Sequence, residues 1–144
     1  RLNATGKRYR YRIINSQIPD VFWRRYALEE PENLNLDAMR EAAELLLGEH
    51  DFKAFTSAKK SKKSTIRRID EIRIEQIEDR IEFVFTGNGF LHHMIRILMG
   101  TLLEVGKGIR TPESVPDVLK SGDRAKAGAL VPAKGLVLEE VFYT

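Results

Sequence analysis

Hydrophobic and polar positions alternate with a period of two over residues 7–15, KRYRYRIIN, where Arg8, Arg10 and Arg12 stand against Tyr9, Tyr11 and Ile13. That period marks a half-buried strand. The pattern is lost over residues 16–33, which Pro19 and Pro31 interrupt. Residues 36–47, LDAMREAAELLL, place Met39, Ala42, Ala43, Leu46 and Leu47 at three- and four-residue spacing. This predicts a helix with Asn35 as N-cap and Gly48 as stop. Residues 49–63 show no period and are expected to form one long loop, a length that is usually functional or mobile. Ile66, Ile69, Ile72 and Ile74 then sit among charges, and RIEFVFTG follows with Ile81, Phe83 and Phe85 on one face. The EDR between them reads as a tight hairpin turn. Over residues 90–108, Leu91, Met94, Ile95, Leu98, Leu102 and Val105 fall on one side of a second helix that Gly106 and Gly108 end. A short helix is predicted over Pro112–Lys120, because proline suits a first helical turn. Residues 121–135 read as loop, and GLVLEEVFYT closes the chain as a strand.

The resulting order is β-α-β-β-α-(α)-β. It predicts an α+β chain of the ferredoxin-like, split βαβ type: an antiparallel four-stranded sheet with the helices on one face. The 144 residues match a single domain, 1–144, and a chain of that size can bury a core without covalent staples. The sequence has no cysteine, which excludes a disulfide scaffold and thiolate-ligated metal centres. No apolar run approaches the ~20 residues a membrane span needs, so no membrane partner is expected. The first residues do not read as a signal peptide, and a cytoplasmic location is the default. Residue 1 is Arg rather than Met, inside an already strand-like basic stretch, and the chain is expected to be a piece of something longer.

Charge changes this picture. The net charge is only +3, but residues 1–25 hold seven Lys/Arg and one acid, 26–52 hold one Arg and eight acids, and 53–68 hold seven Lys/Arg and no acid. Two basic segments that fold near one another make a surface suited to phosphate backbones. The KKSKK run alone reads more simply as a solvated loop. With Arg8, Arg10, Arg12, Arg24 and Arg25 beside it, nucleic acid becomes the expected partner.

Few residues offer free-standing catalysis. His50-Asp51 is a candidate dyad, but a loop in which Asp51 caps backbone amides is the simpler reading. His92-His93, placed on the second helix, would point about 100° apart and not chelate one metal. With three His and no Cys, no metal site is expected. Trp23, Met94 and Met99 read as core. Tyr9 and Tyr11 could stack on bases as sheet aromatics do, or pack in the core. Arg96 lies in a stripe with His93, Gly100, Glu104 and Lys107 opposite the apolar face of its helix. That stripe would ordinarily face solvent, but Gly100 in mid-helix costs roughly 1 kcal/mol relative to Ala. A glycine there admits close packing, and Arg96 beside it could pair bidentately with a buried carboxylate.

Several segments, in order and over nearly the whole chain, resemble the tRNA pseudouridine synthase A family. They are KRYRYRI, LLLGEHDFKAF, STIRRIDEI, GNGFLHHMIRILMGTLLEVGKG and GLVLEEVFY. The combination of LLGEHDF with GFLHHMIR is specific. The resemblance implies isomerisation of uridine to pseudouridine in the anticodon stem-loop of tRNA, without metal or organic cofactor. An aspartate attacks the nucleoside, the glycosidic bond breaks, and the base rotates and rejoins through carbon. It further implies two ferredoxin-like halves with the cleft between them, this chain being the C-terminal half and the N-terminal half of the same enzyme its partner, in a homodimer. By the same resemblance Tyr9 matches the active-site tyrosine that stacks on the target base, Arg96 the arginine that orients the catalytic aspartate, and Leu136 the apolar residue under the cleft. Gly89, Phe90, His92 and His93 match the approach to the helix, with His92 of little functional weight. Arg8, Arg10, Lys59, Lys60, Lys62, Lys63 and His93 are the expected RNA contacts.

One departure stands out. The family's aspartate lies in a GRTDAGVHA-like segment, and no GRTD occurs here; none of the seven Asp has that context. The chain alone is therefore expected to be inactive and to self-associate. Two other readings remain. A stand-alone RNA-binding module shares the element order, although Glu82 stands where the RNA-recognition signature needs glycine. A structural or dimerisation domain is the other.

Overall fold

The computed structural model describes residues 3–58 and 63–143; Lys59, Lys60 and Lys62 lie outside the described residues. Nine regular elements follow in order: β1 (Ala4–Ile14), β2 (Leu28–Glu29), α1 (Leu36–Glu44), β3 (Gly48–Asp51), β4 (Ile66–Ile77), β5 (Arg80–Gly87), α2 (Met94–Gly106), α3 (Ser114–Ser121) and β6 (Leu136–Tyr143). Short 3₁₀ turns cover Lys53–Phe55, Arg124–Lys126 and Ala133–Gly135.

The four long strands predicted from the periodicity are present. They run β6-β1-β5-β4 with every neighbour antiparallel. β1 and β4 thus run parallel with β5 between them, joined through α1, which is the split βαβ crossover. The expected pure four-stranded antiparallel sheet is corrected to a six-stranded mixed one. β2 pairs in parallel with the end of β1 through Ile13↔Leu28 and Ile14↔Glu29, and β3 pairs antiparallel with β4. Both strands are too short to show a period, so the hydrophobic pattern could not reveal them. For the same reason the expected loop over 49–63 is partly strand and 3₁₀ turn, with Phe52 and Phe55 fully buried.

Alternation along β1 and β5 divides the sheet into two faces. Tyr11, Ile13, Ile81, Phe83 and Phe85 join Met39, Ala42, Ala43, Leu98 and Leu102 of the helices in one core. Asn35 caps α1 as expected, its Oδ1 accepting from Ala38 N at 3.0 Å. The two helices touch where Gly106 meets Met39, so that a Cβ on Gly106 would fall 2.6 Å from the Met39 sulfur.

Two expectations about α2 are corrected. It starts at Met94 rather than Phe90, because His93 adopts a left-handed backbone with φ +62°. It is also buried nearly all round rather than on one side, Ile97, Met99, Gly100 and Thr101 included. A helix covered on every side belongs at the centre of a domain. The covering comes from residues 128–132. A Cβ on Gly100 would sit 1.8 Å from the Ala129 carbonyl oxygen, and one on Gly128 would sit 2.5 Å from Gly100. Thr101 fastens the contact, its Oγ1 donating to Ile97 O and accepting from Gly128 N at 2.8 Å. Among the described residues no helix is long and apolar enough to cross a membrane.

Candidate active-site wall

The segment pinned against α2 leads directly into β6, and this brings three distant residues together. Tyr9 projects from β1 where a register shift between Arg8 and Tyr9 interrupts the pairing with β6. Bulges of this kind re-aim a side chain next to functional sites. Phe90 meets the Tyr9 ring edge-on at 5.4 Å. Leu136 opens β6 opposite Tyr11. Arg96 lies in the first turn of α2. Together with Phe90, Leu91, His93 and Ala133, these residues line a pocket of about 170 Å³.

Arg96 is held from one side only. Its Nε donates to Val131 O at 2.7 Å, and its own carbonyl accepts from Val131 N at 3.4 Å. The planar fork is therefore fixed, with its terminal nitrogens left as donors. No carboxylate pairs with it among the described residues. The buried carboxylate that the mid-helix glycine suggests for Arg96 does not come from this chain's described part; a backbone carbonyl takes the Nε instead. Tyr11 secures the same segment. Its hydroxyl donates to Pro132 O at 2.6 Å, and burial pushes its pKa up to about 12 although the Arg96 charge pulls it down. Tyr11 is thus a core residue, not a stacking platform.

His93 forms another wall. Its ring stacks on His92 at 3.7 Å, contrary to the divergence expected had both been helical, and its Nδ1 lies 3.0 Å from Ser57 Oγ. Partial burial, with the neighbouring His92 and Arg96 charges, holds His93 below the ordinary histidine value. The sequence offered no signal for Ser57 or Val131, because both act through contacts 35 or 36 residues away.

The remaining expected residues lie elsewhere. Arg8, Arg10 and Arg12 occupy the other face of the sheet, since neighbours along a strand point in opposite directions. Arg10 binds Glu139 through Nε and Nη2 at 3.1 and 3.0 Å and pairs with Glu82 through Nη1. Arg12 and Arg80 reach Glu82 Oε2 at 3.3 and 2.8 Å. Arg8 donates to Thr86 and lies over Phe142. Arg8 and Arg10, expected as RNA contacts, are partnered on the outer face, while Tyr9 lines the pocket. Trp23, expected in the core, lies half-buried on that same face between the Arg12 and Arg80 guanidinium groups, at 5.2 and 4.9 Å. His50 and Asp51 form no dyad. His50 Nε2 meets Leu47 O, while Asp51 accepts from Lys53 N and the Thr65 hydroxyl. Lys63 borders an adjoining depression with Arg67 and His92.

Tyr9, Arg96 and Leu136 thus share one pocket. The sequence profile described as tRNA pseudouridine synthase matches residues 42–144. The chain belongs to this family. It is 47% identical to tRNA pseudouridine synthase A of Clostridium acetobutylicum over 143 residues, which is 99% of this chain and 59% of that protein. It is 45% identical to tRNA pseudouridine synthase A of Brevibacillus brevis over 143 residues, 99% of this chain and 59% of that protein. It is 44% identical to tRNA pseudouridine synthase A 1 of Bacillus cereus over the same length, 99% of this chain and 58% of that protein. The chain thus spans under three fifths of the pseudouridine synthases it matches.

Proposed function

We propose that this chain supplies one wall of the active cleft of a tRNA pseudouridine synthase, acting on uridine in the anticodon stem-loop. The observation that carries the reading is the pocket itself. A ring, an oriented arginine without a carboxylate partner among the described residues, and an apolar floor converge there from positions 9, 96 and 136. An aspartate entering from a segment outside these 144 residues would meet the Arg96 fork, which favours its ionised form and fixes its direction. The aspartate attacks the nucleoside and the bond from the ribose to the base nitrogen breaks. The freed base rotates against the Tyr9 ring, and its C5 bonds to the ribose carbon as the aspartate–ribose bond breaks and the carboxylate is regenerated. The C5 proton is lost and the former glycosidic nitrogen gains one, so the product is an isomer. This chemistry needs no metal or organic cofactor. Leu136 keeps the floor of the cleft apolar. His93 and the lysines at 59, 60, 62 and 63 are assigned to RNA contact, and the enzyme to a cytoplasmic homodimer. Exposed Ile18, Val21, Phe22 and Tyr26 offer an apolar surface for self-association.

The rival reading as a stand-alone RNA-binding module finds no support in β5. Phe83 and Phe85 are fully buried beneath the helices, so that strand offers no exposed stacking platform. The test is pseudouridine formation on a tRNA transcript, followed by release of the uracil C5 hydrogen to water. The enzyme with its whole natural chain should turn over, and the 144-residue chain by itself should not. Robust turnover by this chain alone would sink the proposal.

A further inference from the structure

Three depressions lie side by side. The Tyr9–Arg96 pocket shares Phe90 and Leu91 with the depression of about 190 Å³ that Lys63 and Arg67 border. That one shares Thr56 and Ala58 with a third, of about 410 Å³, walled by Lys53, Ser57, Gly122 and Arg124. The described residues lining all three include five Lys or Arg and no Asp or Glu. A row of cations without interspersed acids is the arrangement that follows a nucleic-acid backbone.

The third depression is built for an anion. Lys53 and Arg124 come from two different 3₁₀ turns and face one cavity. The Lys53 stem lies along Gly122, close enough that a Cβ on that glycine would be 3.8 Å from Lys53 Cδ. Arg124 is held by one nitrogen, Nη1 donating to Gly128 O at 2.8 Å, which leaves the rest of its fork for a ligand. The neighbouring carboxylates have other partners: Asp51 accepts from Lys53 N and the Thr65 hydroxyl, and Asp123 accepts from Ala125 N. Ser57 joins this depression to the cleft through its contact with His93. When the His93 Nδ1–H donates, the Ser57 hydroxyl proton is available to a phosphate oxygen.

We infer that this depression is a phosphodiester-binding site, in which Lys53 and Arg124 clamp one phosphate of the RNA strand that leaves the Tyr9–Arg96 cleft. The inference rests on the RNA-modifying reading of that cleft. Its test is the salt dependence of tRNA-transcript binding by the enzyme with its whole natural chain. Lys53→Gln should weaken binding, lower the slope of log affinity against log salt by about 1, and raise KM with kcat unchanged. Lys53→Arg should restore the slope. An unchanged slope and affinity in Lys53→Gln would overturn the inference. So would inorganic phosphate, added at constant ionic strength, protecting the site without competing with the transcript. Binding is read separately from turnover. An enzyme that binds with the expected slope change but forms no pseudouridine would refute the catalytic reading and leave the phosphate site standing.

Discussion

The two faces of the sheet carry arginines of opposite fate. On the outer face Arg10, Arg12 and Arg80 converge on Glu82, whose side chain is only 7% exposed, and Arg10 also takes Glu139. Burial works to raise the Glu82 carboxyl, but hydrogen bonds from Arg80 and Arg10, with the Arg10 and Arg12 charges, outweigh it and hold it below the usual carboxylate value. On the helix side Arg96 is equally oriented, by Val131, yet meets no acid among the described residues. A half-buried cation whose charge is balanced within the chain explains stability. One positioned with its donors open is arranged for something that arrives. The charge run at the start of the chain points to the first group, while the proposed chemistry rests on the second.

Removing the common acid of the outer face should have the largest effect. Glu82→Ala leaves three guanidinium groups crowded around a buried vacancy, and breaking such a cluster from one side costs about 3–5 kcal/mol. Urea unfolding of the chain measures it, and a loss below 1 kcal/mol would mean the face is not held electrostatically. The same cluster sets an acid limit. Because the folded Glu82 value lies below the unfolded one, its contribution is full above the unfolded value and is lost as pH falls through the folded value. Glu82→Gln should remove that part of the acid dependence. On the other face Arg96→Lys keeps the charge but not the fork. In the enzyme with its whole natural chain, kcat should fall about 10²-fold, the scale of losing one preorganised donor or misplacing a reacting group. KM for the transcript and unfolding stability should change little. A parallel drop in stability would make Arg96 a packing residue.

How far the sequence disclosed this molecule follows from the length of each signal. The long strands and α1 were legible because period-two and period-3.6 patterns ran for eight residues or more. β2, of two residues, and β3, of four, were not. Leu136 is a candidate only through the resemblance, whereas Tyr9 also stands out as a strand aromatic among arginines and Arg96 through the glycine near it. Spacing alone put Arg96 on a solvent stripe, because nothing local says that residues 128–132 fold back over α2. Gly100 was the local exception, since its cost in a helix interior asked for a close neighbour, and Ala129 is that neighbour.

Gly100 therefore offers the next test of the contrast. Alanine gains about 1 kcal/mol of helix propensity, but its Cβ would collide with the Ala129 carbonyl at 1.8 Å. Overpacking against backbone costs about 1–3 kcal/mol, so Gly100→Ala should destabilise despite the better helix former. It should also displace the 128–132 segment that anchors Arg96 and leads to Leu136, lowering kcat in the whole enzyme. Gly89→Ala is the control. Its nearest contact would be the flexible Arg67 side chain at 3.6 Å, and its stability should stay within about 0.5 kcal/mol of the parent. Equal losses in both variants would remove the special role of the 128–132 contact.

The smallest effect concerns the charge environment of the cleft. His93 should titrate below its ordinary value of 6.5, chiefly through partial burial and further through the His92 and Arg96 charges. A histidine whose folded value is depressed binds fewer protons than the unfolded chain between the two values. Stability from this group therefore rises with pH across that window and is lost as pH falls from 6.5 through the folded value. Removing the Arg96 charge with Arg96→Gln should move the His93 midpoint upward, read from its imidazole proton shifts by NMR. Glu82→Gln, on the opposite face, should leave that midpoint where it was. If both substitutions moved His93 alike, the two faces would share one electrostatic environment, and the division between a balanced outer face and an open cleft would fail.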